Sequence, residues 1–335
     1  MSEEKNEEVK GKAKAKAATE AVVTPKDVKR VWDEIYSELA RVIIGKLDVL
    51  EDMFISLIGG GHCLLEGVPG IAKTVMAKSF AQTLGCEFKR VQFTPDLLPS
   101  DVVGTTIYDP KAGTFKMRKG PIFTNILLAD EINRSPPKTQ AALLEAMAEK
   151  QVTVEGTTFK LEDPFLVIAT QNPIEQEGTY PLPEAQVDRF MFKLLVDLPS
   201  PEEEIDIIRL KHNQIRQTVR RVTTPMTIVK MMETVETRIY VHEDIMNYIR
   251  DLTVSTRTDP RLILGGSPRC SIALLNAAKS VAAMRGRDYV IPDDVKRIAR
   301  VASAHRLAMK PEAELEGTTG TMVVNEILRN LPVPV

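Results

Sequence analysis

The sequence predicts an α/β domain built on a parallel sheet, followed by a smaller helical domain, and three observations carry that reading. Short Val-, Ile- and Leu-rich runs alternate with helical stretches between about residues 62 and 198. These runs lack strict apolar–polar alternation, as strands covered on both faces do. A Pro-rich break follows at Leu198-Pro199-Ser200-Pro201, and beyond it the chain is helix-rich to its end. With 335 residues there is room for two domains, which typically run to roughly 100–200 residues each.

Residues 1–25 are rich in Glu, Lys and Ala and hold no aromatic residue. They read as a disordered charged tail, with too little apolar surface to order alone. From Lys26 the pattern turns helical, with Val31, Ile35, Leu39 and Ile43 at near-helical spacing, so the α/β domain is set at 26–199. Strands are expected at His62–Val68, Phe88–Phe93, Ile126–Asp130, Phe165–Thr170 and Phe190–Leu198. Two stretches break the alternation. Gly104–Gly120 reads strand, turn (Asp109–Gly113), strand, and Gln151–Asp163 alternates Val152, Val154, then Phe159, Leu161 around Glu155-Gly156. Both are expected as inserted β-hairpins. At the boundary Ser200 is a good N-cap, Pro201 suits the first helical position, and Glu202–Glu204 favour the helix dipole. The helical domain, 200–335, carries apolar stripes at Ile272, Leu275, Ala278, Ala282 and at Val295, Ile298, Ala302.

Composition narrows the class. The chain is 43% hydrophobic and 27% charged, as soluble globular proteins are. A net charge of −2 gives no global basic field toward nucleic acid or anionic lipid. No apolar run approaches the roughly 18–20 residues that span a bilayer, and no secretory signal opens the chain. Cys63, Cys86 and Cys270 form neither a CxxC metal pattern nor a disulfide framework, so a cytoplasmic location is expected. His242-Glu243 begins like a zinc-protease motif, but position 246 is Met and the second ligand is missing.

The residues that bear chemistry are grouped. Gly67-Val68-Pro69-Gly70-Ile71-Ala72-Lys73-Thr74 follows an apolar strand and precedes an apolar helix, the context a phosphate loop requires. Its backbone N–H groups and the helix N-terminus would cradle an anion. Lys73 would reach the β- and γ-phosphates of ATP, and Thr74 would ligate Mg²⁺. Ala72 stands where a glycine is usual, tolerable if the backbone there is helical. Ile126–Asp130 runs into Glu131, so a buried strand ends in two carboxylates. Asp130 would hold Mg²⁺ through water, and Glu131 would orient and deprotonate the attacking water. By themselves such carboxylates often only cap a helix. Asn172 ends another buried strand and would sense the γ-phosphate, although Asn before Pro173 is commonly a turn residue. Arg189 precedes the last strand. Arg269 sits in Gly265-Gly266-Ser267-Pro268-Arg269, where a capped helix N-terminus suits a phosphate sensor.

The order of these elements resembles the AAA+ ATPases, and the wording is closer to the MoxR family. The resemblance rests on Glu66–Thr74, with its Ala before Lys, and on Arg90–Asp101 (RVQFTPDLLPSD). It also rests on Ala129–Met147 (ADEINRSPPKTQAALLEAM), Gly178–Gln186 (GTYPLPEAQ) and Pro311–Gly317 (PEAELEG), and covers about residues 30–335. The resemblance implies a five-stranded sheet of order 5-1-4-3-2, with the hairpins as inserts and the helical domain as a lid. It implies ATP and Mg²⁺ as cofactors, a homo-oligomeric ring of six, Arg189 acting in trans and Arg269 acting in cis. It further implies a chaperone-like ATPase that matures or remodels partners, often proteins with a von Willebrand factor A domain. Gly265-Gly266 replaces the family's more familiar Gly-Ala.

Three other functions remain open on sequence alone. A DNA-acting motor is suggested by Lys111, Lys116, Arg118 and Lys119 in the first insert, and opposed by Glu155, Glu162 and Asp163 in the second. A metal-insertion motor like magnesium chelatase is a related possibility. A nucleotide-gated scaffold without turnover is disfavoured by the intact pair Asp130 and Glu131.

Overall fold

The computed structural model describes residues 22–111, 113–173, 178–212 and 218–334. The tail up to residue 21, and Ala112 in the first hairpin turn, lie outside them. Val22–Pro25 belong with the folded chain: the first helix is Pro25–Leu39, and Thr24 caps it in a reciprocal box with Asp27. Ile43 falls beyond that helix. The second helix is Leu47–Ile58, and Trp32 stacks on Phe54 with ring centroids 4.9 Å apart.

The strands follow as β1 (Cys63–Glu66), β2 (Phe88–Gln92), the hairpin β3 (Gly104–Asp109) and β4 (Thr114–Lys119), then β5 (Ile126–Asp130). After these come the hairpin β6 (Gln151–Val154) and β7 (Thr157–Lys160), then β8 (Leu166–Gln171) and β9 (Phe192–Leu195). The main sheet is parallel throughout, in the order β2-β5-β8-β1-β9. Without the hairpin strands this is the order 5-1-4-3-2 read from the other edge.

Register explains why the strands look uniformly apolar. Leu64, Leu127, Ala129, Val167 and Ala169 enter one apolar layer, against helix Pro137–Glu149. Their neighbours Cys63, Leu65, Ile126, Leu128, Leu166 and Ile168 enter the other. In the three central strands both faces are buried, so apolar residues predominate on each, and the polar exceptions Asp130 and Thr170 sit near the carboxyl ends of β5 and β8.

Helix Pro201–His212 opens with Ser200 as its N-cap, as expected, in a reciprocal box with Glu203: Glu203 N donates to Ser200 Oγ, and Ser200 N donates to Glu203 Oε2. The helices Pro225–Arg238, Glu243–Thr258, Pro268–Met284, Pro292–Ser303 and Gly320–Asn330 follow. The apolar layer that holds Cys63 continues through the first two helices of the chain into these helices. Val295, Ile298 and Ala302 are buried as expected. The first stripe is only partly as expected. Ala278 and Ala282 are buried as expected, but Ile272 is 57% exposed, and helix Pro268–Met284 also buries Cys270, Ala273, Leu274, Ala277 and Val281.

Candidate nucleotide site

The loops after β1, β5 and β8 all leave the same, carboxyl edge of the sheet, the edge at which open α/β sheets bind ligands. The Gly67–Ala72 loop must turn sharply there. A Cβ on Gly67 would meet Val196 O at 2.4 Å, and Gly70 has φ +86. Ala72 is not helical as expected: its φ of 62 and ψ of 22 are left-handed, and helix Lys73–Leu84 begins only at the next residue. The loop must reverse before the helix can start, which explains why glycine is usual here. Lys73 Nζ donates to Gly67 O at 2.5 Å, folding the lysine back over the loop. Partial burial lowers the Lys73 pKa, against the opposing attraction of Asp130, Glu131 and Glu66. Thr74 lies beside it in the first helical turn.

Asp130 is buried at the end of β5, and Thr170 Oγ1 donates to its Oδ1 at 2.6 Å. Glu131 N donates to the same hydroxyl at 2.8 Å, which ties β5 to β8. Arg90 Nε and Nη2 donate to Asp130 Oδ2 at 3.0 and 2.8 Å. Glu131 has left-handed backbone, φ 55, and its Oε2 accepts from Gln92 Nε2 at 2.7 Å and Arg134 Nη1 at 3.0 Å. Arg90 Nη2 also donates to Gln92 Oε1, closing a network across three strands. Sequence reading placed Arg90 and Gln92 in a family motif but gave them no role. Their signal was the spacing of two polar side chains two apart on β2, which puts both on one face of the strand. Asn172 is buried just past β8, and Gly67 N donates to the neighbouring Gln171 O at 3.4 Å. The structure therefore brings together Lys73, Thr74, Asp130, Glu131 and Asn172.

A cavity of about 380 Å³ opens beside Gly70–Ala72, lined by Ile43, Ile44, Val75, Met76, Pro199 and Ile207. Sequence reading missed this slot. Between the lining residues Ile44 and Lys46, Gly45 has φ +72, and any Cβ there would collide with the Glu203 carboxylate. A flat aromatic base fits an apolar slot of this kind beside an anion loop. Among the described residues no three His, Cys, Asp or Glu side chains could together hold a metal. A Mg²⁺ on Thr74, held by Asp130 through water, would take its other oxygens from phosphate and water, the usual manner for this ion.

Arg189 and Arg269 lie elsewhere. Phe192 of β9 pairs with Cys63, the first residue of β1, so Asp188-Arg189 sit at the amino edge of the sheet. About 13 Å of β1 separates that edge from the loop, at 3.3 Å for each of four residues. Arg189 Nη1 donates to Leu144 O at 3.1 Å. Ser267 caps its helix as expected and donates to Asp188 Oδ2 at 3.0 Å, while Arg269 Nη1 is 3.6 Å from the same oxygen. Arg269 thus stands with the neighbour of Arg189 and not with its own phosphate loop. The expected cis placement is corrected, because the helical domain docks on the amino edge.

The comparisons with known proteins agree with this architecture. Residues 62–192 match the model for the ATPase family associated with various cellular activities (AAA), and residues 254–327 match an AAA lid domain. The YeaC protein of Bacillus subtilis is 46% identical over 92% of this chain and 97% of its own length. Chaperone MoxR1 of Mycobacterium tuberculosis is 42% identical over 89% of this chain and 81% of its own. A crystal structure of a candidate ATPase from Cytophaga hutchinsonii, 39% identical, superposes with a TM-score of 0.87 over 97% of this chain and 99% of that one. An AAA fold with its lid, together with a named MoxR chaperone at this identity and coverage, places the chain in the MoxR family of AAA+ ATPases.

Proposed function

We propose that the chain binds ATP with Mg²⁺ at Gly67–Thr74, hydrolyses it, and uses the cycle to remodel or mature protein partners. The convergence of Lys73, Asp130 and Glu131 on one strand edge, with an apolar slot beside it, is the observation that carries this reading. The adenine enters the slot, and the loop N–H groups and Lys73 take the phosphates. Thr74 directly, and Asp130 through water, would hold a Mg²⁺ that would neutralise charge on the phosphates. Gln92 and Arg134 fix one oxygen of Glu131, and its other oxygen takes the proton of the attacking water. The water oxygen bonds to the γ-phosphorus as the β–γ bridge breaks, leaving ADP and phosphate. Asn172 holds the γ-phosphate or the water.

Arg189 and Arg269, at the opposite edge, act on the nucleotide of the next subunit in a ring, six subunits by family resemblance. Such an arrangement makes turnover depend on assembly and couples each hydrolysis to an interface. The chain works in the cytoplasm, and its clients include proteins with a von Willebrand factor A domain. The first hairpin meets the client: Tyr108 and Phe115 pair on it with ring centroids 5.3 Å apart, 55% and 73% exposed. Val152 and Val154 of the second hairpin are buried. Exposed rings on an edge suit an extended protein segment. The basic residues of that hairpin favour a nucleic-acid motor only weakly, since Lys116 is paired with Asp109 at 2.7 Å.

Phosphate release by the purified full chain tests the proposal. Mg²⁺-dependent release that Lys73→Ala abolishes is expected, and no release above that variant would sink it. Salt-dependent stimulation by DNA would promote the motor reading instead.

A further inference from the structure

Arg306 is the last residue of a short turn, Ala304–Arg306, that ends helix Pro292–Ser303 in the helical domain. Its side chain is 3% exposed, an unfavourable place for a cation unless every donor is satisfied. They are satisfied on one short segment of the α/β domain. Nε donates to Asp188 Oδ1 at 2.8 Å, and Nη2 donates to Asp188 O at 3.1 Å and to Phe190 O at 2.7 Å. Nη1 donates to Met191 O at 3.2 Å and also to Ala302 O of its own helix. The guanidinium therefore grips the backbone on both sides of Arg189. Asp188 is shared in turn with Ser267 and Arg269 of the helical domain.

We propose that Arg306 is a positioning residue that clamps Asp188–Met191 from the helical domain, so that Arg189 is aimed at the neighbouring subunit's nucleotide. The inference deepens the reading above and rests on Arg189 acting in trans. A planar fork of five donors can hold three carbonyls and a carboxylate at once; a lysine cannot. A small loss of aim is costly at such a site, since a displacement of about 1 Å can cost roughly 100-fold in rate.

The test uses full-length Arg306→Lys, which keeps the buried charge, and Asp188→Asn as a second variant should the first fold poorly. Each is expected to bind a fluorescent ATP analogue as wild type does, while kcat falls by about 100-fold. A purely structural role would predict the same loss, so the deciding readout is mixing. Glu131→Gln has a dead site of its own but an intact clamp. In rings formed at equal ratio with Arg306→Lys, about a quarter of interfaces join an intact site to an intact arginine, and that fraction of wild-type turnover should return. Arg189→Ala mixed with Glu131→Gln is the control. Rescue in the control without rescue of Arg306→Lys or Asp188→Asn overturns the clamp and leaves the trans role of Arg189 standing. Rescue in neither mixture overturns both. Wild-type turnover by Arg306→Lys alone also overturns the clamp.

Discussion

The two ends of the main sheet are built in opposite ways. At the carboxyl end, backbone does much of the work: Gly70, Ala72 and Glu131 all take positive φ, and the loop is open to solvent. At the amino end, side chains do it. Arg306 saturates four carbonyls and a carboxylate, and His62 bridges two elements out of contact with water. An anion site needs exposed N–H groups that a phosphate can reach. An arginine that must serve a neighbouring molecule needs a fixed aim and no nucleotide of its own. On the proposed trans reading of Arg189, one subunit carries halves of two different sites, and turnover requires that the halves meet.

Removing the amino-end half should have the largest effect. Arg189→Ala is expected to lower kcat by about 1,000-fold, the lower end of what such an arginine contributes, with little change in ATP affinity. Turnover per chain should also fall on dilution below the concentration at which rings dissociate. Unchanged turnover per chain at that dilution would show that each subunit completes its own site, and the contrast between the ends would collapse.

At the carboxyl end, Glu131→Gln should lower kcat by about 100- to 1,000-fold, the lower part of the range for a general base, and retain ATP. The amide keeps an acceptor for Gln92 and Arg134 while losing the ability to take a proton. Single-turnover phosphate release separates this outcome from a binding defect. Hydrolysis as fast as wild type would transfer the role of base to another group.

The same contrast governed what could be read in advance. The strands were legible because burial on both faces leaves an uninterrupted apolar run, and the second hairpin because Glu155-Gly156 can take φ values of 48 and 80 in a tight turn. Lys73, Asp130 and Glu131 were legible because each sits in a contiguous motif. The apolar slot was not, since Ile43, Val75 and Ile207 come from three distant stretches. Nor was the role of Arg90, which depends on β2 lying beside β5 with Gln92 opposite Asp130. The edge on which Arg269 falls was set by how the helical domain docks, and Arg306 lies in no motif and is buried only by that docking.

The amino end should also be the acid-sensitive one. Val167 N donates to His62 Nδ1 at 3.0 Å, so Nε2 carries the proton toward Met147 O at 3.2 Å. Burial pushes the His62 pKa down to about 4. The folded value thus lies below the unfolded one, near 6.5. Stability from this site is full above pH 6.5 and is lost as pH falls toward 4, by about 2 kcal/mol at pH 5. His62→Gln can offer the same acceptor and donor without titrating. Denaturant melts at pH 7 and pH 5 should therefore show wild type losing about 2 kcal/mol more than the variant. Equal losses would mean that protonated His62 is accommodated and that the amino end is less rigid than its hydrogen bonds suggest.

The smallest effect is expected where the carboxyl end departs from its usual chemistry. Ala72 holds a left-handed backbone at φ 62, which costs an L-residue about 1–2 kcal/mol. Ala72→Gly removes that strain but frees the unfolded chain by about 0.5–1 kcal/mol, so the net gain in stability should be about 0.5–1 kcal/mol. The loop N–H groups keep their positions, and ATP affinity and kcat should stay within about twofold of wild type, as for a change that leaves every phosphate contact in place. If instead the glycine variant loses affinity while gaining stability, the alanine methyl is what holds the loop in its binding shape. The strain at Ala72 would then be part of the site rather than a tolerated substitution.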